Sequence, residues 1–451
     1  MLISTILVSF MGASCNPDLT QAPNDEDSGG GASIDGSEEG SGQSLIGNAT
    51  PTIDDQALDG ACTDLSISGA GQAIAYSSVA TNLAARDTNS SSDVFVFDRP
   101  TKSIERISIN PETSLEANDD SDMALISNCG NFVAFRSDAT NLGCDEGLGQ
   151  VYLKNRDSGE LRCLGNGANT TDAIFFRPAR QILISGDGSK VVFGVEPPSN
   201  TSFDSYYVHD VLTGVTELLL DSVGGLTVYC ISDNARWLLF SDDLSDVRGA
   251  EQAGLLSIAE DTVEEADTAP RLMLLDLLNK VVTIHMDDEG NDTPVMNQRW
   301  HHFSGDGATI SFISLEPLVA EDTNGQPDVY VVPRTGGDPV RISQLPDGGQ
   351  FTTEVALADV STDNDVLFRT VSMVPNSFGG LKAVNRFFIY NPTNSEVMEI
   401  LEDLQDAPLA ERPSSPSFLS ADSSVFASLS SAGFEGIMPV NPGVIFIDLA
   451  E

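Results

Sequence analysis

The chain has 451 residues, with 68 Asp and Glu against 22 Lys and Arg, giving a formal net charge of −46. A field of that sign repels nucleic-acid phosphates and anionic lipid headgroups, so no nucleic-acid partner is expected. Beyond the leader, no apolar stretch approaches the roughly 18–20 residues that a spanning helix needs, so membrane contact is expected only through an anchor.

Residues 1–14, MLISTILVSFMGAS, are apolar and then small, and Cys15 follows. The run resembles a bacterial lipoprotein signal, whose cysteine is lipidated and becomes the mature N-terminus. An ordinary secretory signal or a misassigned start are the alternatives, because the leader carries no Lys or Arg. Residues 15–58 also lack basic residues and are rich in Gly, Ser, Asp and Glu. Such a composition cannot bury enough apolar surface to offset chain entropy, so a disordered tether is expected there.

Residues 59–451 form the third segment, and their dominant feature is repetition. The stretch SISGAGQAIAY at Ser66–Tyr76 has counterparts in ISNCGNFVAF, ISGDGSKVVF, ISDNARWLLF, FSGDGATISF, VSTDNDVLF and LSADSSVFASL. Each is a turn of the type Ser-x-Asp-Gly followed by an apolar run ending near an aromatic or aliphatic anchor. A second set follows in step: DVFVFD, QVYLKN, SYYVHD, RLMLLD, DVYVVP, RFFIYN and GVIFID. Runs such as Val94–Phe97 are apolar at every position, as expected of a strand buried on both faces.

Adding the strand that enters each turn gives four strands per copy. Evenly repeated four-stranded units predict an all-β fold, a seven-bladed β-propeller of four-stranded antiparallel blades. The copies are spaced more widely than the roughly 40–45 residues of compact blades, so long loops are expected. The last copy ends at its third strand, and a segment between about Asn48 and Asp64 is expected to supply the fourth.

The turn phrase and its DTN-to-DVFV continuation resemble the TolB-type, WD-related β-propeller repeat, most clearly over Ser66–Ser108 and Phe303–Ser343. The resemblance implies a propeller that contacts proteins or ligands through its faces, with no one activity attached. With the leader, it implies a bacterial cell envelope protein. Such a protein would be lipid-anchored to a membrane, at the periplasmic side of the outer membrane or at the cell surface.

The chemistry-bearing residues are few. Asp87, Asn89 and Asp93 recur as Asp322, Asn324 and Asp328, with spacing like the opening half of a calcium loop, although neither loop has both the glycine and the bidentate Glu of an EF-hand. Calcium is therefore the one cofactor suggested, against a purely turn-capping role for the same side chains. Trp300, His301 and His302 fall on a strand expected to line the central channel, where a metal-dependent polysaccharide lyase or hydrolase would place its site. Adjacent strand residues point to opposite faces, which sets the two histidines apart.

No CxxC pair or G-x-S-x-G elbow occurs. Cys129, Cys144 and Cys163 share one repeat, and a Cys129–Cys144 bridge is one pairing open to them. The acidic insertion Asp242–Ala269 is the most distinctive loop. The sequence thus favours a monomeric, non-catalytic envelope scaffold for a protein or glycan partner, with the channel enzyme as the alternative.

Overall fold

The same turn, made seven times around a buried serine, organises the chain. In the computed structural model, residues 46–53, 57–144, 149–164, 179–195, 205–221, 226–242, 244–259, 270–285, 298–361, 363–375, 381–400, 417–430 and 443–449 are described. Ser68, Ser127, Ser185, Ser232, Ser304, Ser361 and Ser420 are each at most 2% exposed. Every one accepts, through Oγ, the N–H of the residue four or five positions on, at 2.9 to 3.1 Å. Ser185, Ser304 and Ser420 also donate to the Asp two residues ahead. The hydroxyl thus closes the turn from inside, which is why serine recurs there.

The position three residues after each serine is left-handed, with φ between 55° and 75°: Gly71, Gly130, Gly188, Ala235, Gly307, Asn364 and Ser423. Glycine takes that backbone without strain, and the three substitutions explain why the phrase decays in later copies.

Each turn joins the first two strands of an antiparallel sheet. Sheet one comprises Cys62–Ile67, Ala73–Ser78, Asp93–Asp98 and Ser103–Arg106. Sheet two follows with Ser121–Ile126, Phe132–Ser137, Gln150–Asn155 and Leu161–Cys163, and sheet three with Ala179–Ile184, Lys190–Val195, Ser205–Asp210 and Val215–Asp221. Sheet four contains Thr227–Ile231, Trp237–Asp242, Arg271–Asp276 and Val281–Ile284. Sheet five contains Gln298–Phe303, Thr309–Ser314, Asp328–Pro333 and Val340–Arg341. Sheet six contains Val355–Val360, Val366–Pro375, Leu381–Asn391 and Glu396–Glu399. Sheet seven contains Ser417–Leu419, Val425–Ser430, Gly443–Asp448 and the early strand Ile46–Asn48.

The fold is an all-β propeller. The expected four-stranded antiparallel unit is present in each sheet, and among the described residues sheet four alone gains a fifth, short strand. The insertion between its second and third strands carries helix α1 (Ser245–Gln252) and the short strand Ser257–Ile258, which pairs parallel with Val281–Val282. Asp242 Oδ2 accepts the N–H groups of Asp246 and Val247, satisfying the start of α1, while Val247 and Ala250 pack into the core with Leu244 and Leu256. Half of this insertion is therefore packed structure. Residues 260–269 lie outside the described residues.

Two corrections concern the ends of sheets. Ile46–Asn48 pairs with Gly443–Asp448, so the closing strand precedes the stretch expected to supply it, and Cys62–Ile67 instead opens sheet one. Cys144 is bridged to Cys163, with Cα atoms 5.6 Å apart, and not to Cys129. Cys129 lies on a serine turn at one end of sheet two, whereas Cys144 and Cys163 meet at the other.

The core repeats with the turns. Tyr76, Phe135, Phe193, Phe240, Phe312, Phe368 and Phe426 are each at most 1% exposed. Five of them stack on the aromatic of the next strand, in the pairs Tyr76–Phe95, Phe135–Tyr152, Phe193–Tyr207, Phe312–Tyr330 and Phe368–Phe388.

The turns also bond to one another. Gly69 N–H donates to Asn128 O, Asn128 to Gly186, Asp187 to Asp233, Asp233 to Gly305, Gly305 to Ser361, Asp363 to Ala421, and Asp422 back to Gly69. The belt closes on itself. Since strands alternate in direction, the serine turns define a turn face, and the second-to-third and sheet-to-sheet connections emerge on an opposite loop face.

Gly186 sits under the Asn128–Asp233 side-chain hydrogen bond of 2.8 Å, and a Cβ there would lie 2.4 Å from the Asp233 carboxyl carbon. Gly186→Ala should lower unfolding free energy by about 1–3 kcal/mol in urea titration. Gly249→Ala, in α1 with open space around its Cβ, should raise it by about 0.5–1 kcal/mol. Deleting residues 1–48 exposes the Gly443–Asp448 edge and should reduce both melting temperature and solubility; unchanged melting would refute the closing role of Ile46–Asn48.

Candidate functional site

The loop face carries the chain's elaborations. The connection from Ala73–Ser78 to Asp93–Asp98 holds Asp87-Thr88-Asn89, and the matching connection in sheet five holds Asp322-Thr323-Asn324. The α1 insertion of sheet four emerges there too. So does the long hairpin of sheet six, paired as far as Pro375 with Leu381.

The two Asp-Thr-Asn loops are built alike. Asn89 Oδ1 accepts the Ser91 N–H and its Nδ2 donates to Ala117 O; Asn324 does the same with Gln326 and Phe351. Both asparagines therefore pin their loop to the connection leading into the next sheet, and Asn89 is occupied at both ends of its amide. Ser108 Oγ donates to Asp93 and accepts from Val94 N–H, and Ser343 does so with Asp328 and Val329. Thr88 is held by Glu116, and Thr323 by Gln350.

An arginine completes each loop, and the sequence reading missed both. Arg106 pairs with Glu116, lies 3.2 Å from Asp87 and 3.6 Å from Asp93, and its guanidinium stands 5.7 Å over the Phe95 ring. Arg341 follows Asp322 at the same spacing as Arg106 follows Asp87, just as Ser343 matches Ser108. That shared spacing was the available signal.

The copies differ in charge. Asp87, Asp93 and Glu116 place ligand oxygens within 4.8 Å of one another, the only such group of three acidic, His or Cys residues among the described residues. Burial raises Asp93 to about 6, against the Ser108 hydrogen bond and Arg106, with Asp87 and Glu116 adding to the rise. Burial likewise raises Asp87. For Glu116 burial pulls upward, but hydrogen bonds from Thr88 and Arg106 outweigh it and hold the carboxyl below its ordinary value. In sheet five, Gln350 replaces Glu116, Tyr330 OH donates to Asp322, and Asn324 Nδ2 donates to Asp328 Oδ2 at 2.8 Å.

The histidines separate. His301 is 1% exposed, with its ring 4.3 Å from Tyr229 and 5.5 Å from Phe312, and burial drives it down to about 3. It is packing material between sheets four and five. His302 is half-buried and pulled by burial to about 4. The Trp300 side chain and Cys15 lie outside the described residues.

No protein-family model and no curated protein matches the sequence. Among solved structures, the chain is similar to an oligogalacturonate lyase from Vibrio parahaemolyticus, at TM-score 0.50 and 11% identity, covering 90% of this chain and 94% of that one. It is also similar to the β-propeller domain of the Trilobed protease from Pyrococcus furiosus, at TM-score 0.40 and 12% identity, covering 84% and 80%. TolB from Acinetobacter baumannii gives TM-score 0.35 and 13% identity over 76% and 64%. At these identities the likeness to the lyase concerns the propeller fold alone.

The raised Asp93 has a measurable sign. The unfolded chain releases this proton near pH 4 and the folded chain near pH 6. The group therefore costs nothing below the lower value, and its penalty grows across that window and is complete above it. In metal-free buffer, Asp93→Asn should remove a fall in stability of about 2–3 kcal/mol between those limits. Parallel wild-type and variant curves from pH 4 to 6 would contradict the assignment.

Proposed function

We propose that the protein is a non-catalytic binding scaffold of the bacterial cell envelope, engaging a protein or glycan partner through its loop face. The observation that carries this reading is the division of labour between faces. The turn face is tied by a closed backbone belt and crossed by the Asn128–Asp233 hydrogen bond. The long connections of sheets one, four, five and six collect on the other side, where loops tolerate the variation that recognition needs.

The envelope location rests on the leader and the acidic tether, with Cys15 as the lipid attachment point. The excess of acidic over basic residues favours a neutral glycan or a basic protein surface over anionic ligands.

Exposed leucines on the two faces provide the test. Leu115, 61% exposed, lies on the loop face in the connection from sheet one to sheet two; Leu278, 76% exposed, lies on a turn of the other face. Immobilised wild-type protein should retain a partner from envelope extract, or a glycan on an array, at about 0.15 M salt. Leu115→Glu should weaken that retention by about tenfold or more, and Leu278→Glu should leave it intact. Equal loss in both variants, or no retention by the wild type, would defeat the loop-face reading.

A further inference from the structure

The first Asp-Thr-Asn loop holds more negative charge than its own architecture neutralises. Three carboxylates, Asp87, Asp93 and Glu116, face one guanidinium, and the Asp93 side chain is fully buried. Asp93 Oδ2 and Asp87 Oδ1 are both buried without a hydrogen-bond donor, while Asp93 Oδ1 is taken by Ser108. Arg106 is a partial counter-ion: its Nη1 bonds Glu116, but its Nε and Nη2 find no acceptor in hydrogen-bonding geometry. A buried charge without full pairing is costly, so a group of this kind calls for a further positive partner.

The copy in sheet five is an internal control. There the oxygen equivalent to Asp93 Oδ2 receives the Asn324 amide, Asp322 receives the Tyr330 hydroxyl where the first copy has Phe95 at the matching position, and a neutral Gln350 stands in for Glu116. The carboxylates of one fold element have thus been given donors in one place and left acidic and short of donors in another. The difference points to a ligand at the first loop alone.

We propose that Asp87, Asp93 and Glu116 bind one divalent cation of the hard, oxygen-preferring class, calcium before magnesium, with Arg106 swinging aside to admit it. The donor separation fits. Ligands on opposite sides of a calcium ion stand roughly 4.6–5.2 Å apart, and these oxygens lie within 4.8 Å of one another. Glu116, 14% exposed at its side chain, is the open side through which the ion enters. Ser108 holds Asp93, and Thr88 holds Glu116, so two ligands are positioned before the ion arrives. Water and loop carbonyls complete the coordination that calcium takes. Asn89 contributes none, because both ends of its amide are engaged.

Calorimetric titration of the full chain with calcium chloride at neutral pH should show one site per chain, together with a rise in melting temperature. Asp93→Asn should abolish the site, and Glu116→Gln should weaken it by about tenfold or more, so a folding defect in one variant does not remove the test. Arg106→Gln, which removes the competing cation, should tighten binding. Asp328→Asn, in the satisfied copy, should leave it unchanged. No calcium heat in either the wild type or Arg106→Gln would overturn the proposal and leave a proton as the only partner. So would weak binding at many sites that Asp93→Asn does not alter, since that is the behaviour of a generally acidic surface.

Discussion

The propeller depends on one repeated act of polar satisfaction, a serine hydroxyl buried at the tip of each inner hairpin. Turns near the axis carry backbone groups that water reaches poorly, and each unpaired one would cost as much as a lost hydrogen bond. The serine Oγ takes one N–H of its own turn, and the neighbouring turn takes another, so the need of each sheet is met by the next. The last link, from Asp422 to Gly69, makes the scheme a ring instead of a row. Side chains on the innermost strands add to the same ring. Ser66, Cys230 and Asp359 each accept an N–H from the following sheet, at Ile126, Phe303 and Leu419.

This arrangement explains what could vary and what could not. On the turn face a neighbour stands against every hairpin tip, so a Cβ at Gly69 or Gly186 meets the next turn at once. Among the described residues no such belt joins the loop-face connections, and there the chain accommodates a helix, an added strand and an extended hairpin. The added strand Ser257–Ile258 also covers the outer edge of sheet four. Such edges are otherwise open to unwanted pairing.

Much of this was legible in the sequence because the repeating unit is local. A serine, a left-handed position and a buried aromatic lie within about ten residues of one another, so each copy displays its own reason for folding. Ala235, Asn364 and Ser423 replace the glycine yet keep its backbone, and the serine still marks the turn. What escaped was settled by partners far along the chain. Ile46–Asn48 sits in a Gly- and Ser-rich stretch and is a strand only because Gly443–Asp448 offers an edge. Cys144 and Cys163 are paired by the ends of the sheet on which they fall, which spacing alone does not give. The histidine pair looked like chemistry, but the space between Tyr229 and Phe312 made His301 part of the core.

The Asp-Thr-Asn loops are an intermediate case, and they show how one scaffold can carry a structural element and a site side by side. Their shared spacing from Asp to Arg to Ser belongs to the fold, and in both copies the serine fixes the second Asp. That framework is the same in sheets one and five. The chemical difference comes from three contacts: Glu116 in place of Gln350, the Asn324 amide that reaches Asp328, and the Tyr330 hydroxyl that reaches Asp322. Each of those contacts moves a charge or a donor by one group without touching the backbone. A repeat protein can therefore keep its architecture constant while one copy accumulates unneutralised carboxylates, and the stability of the ring tolerates the cost because six other sheets hold the frame.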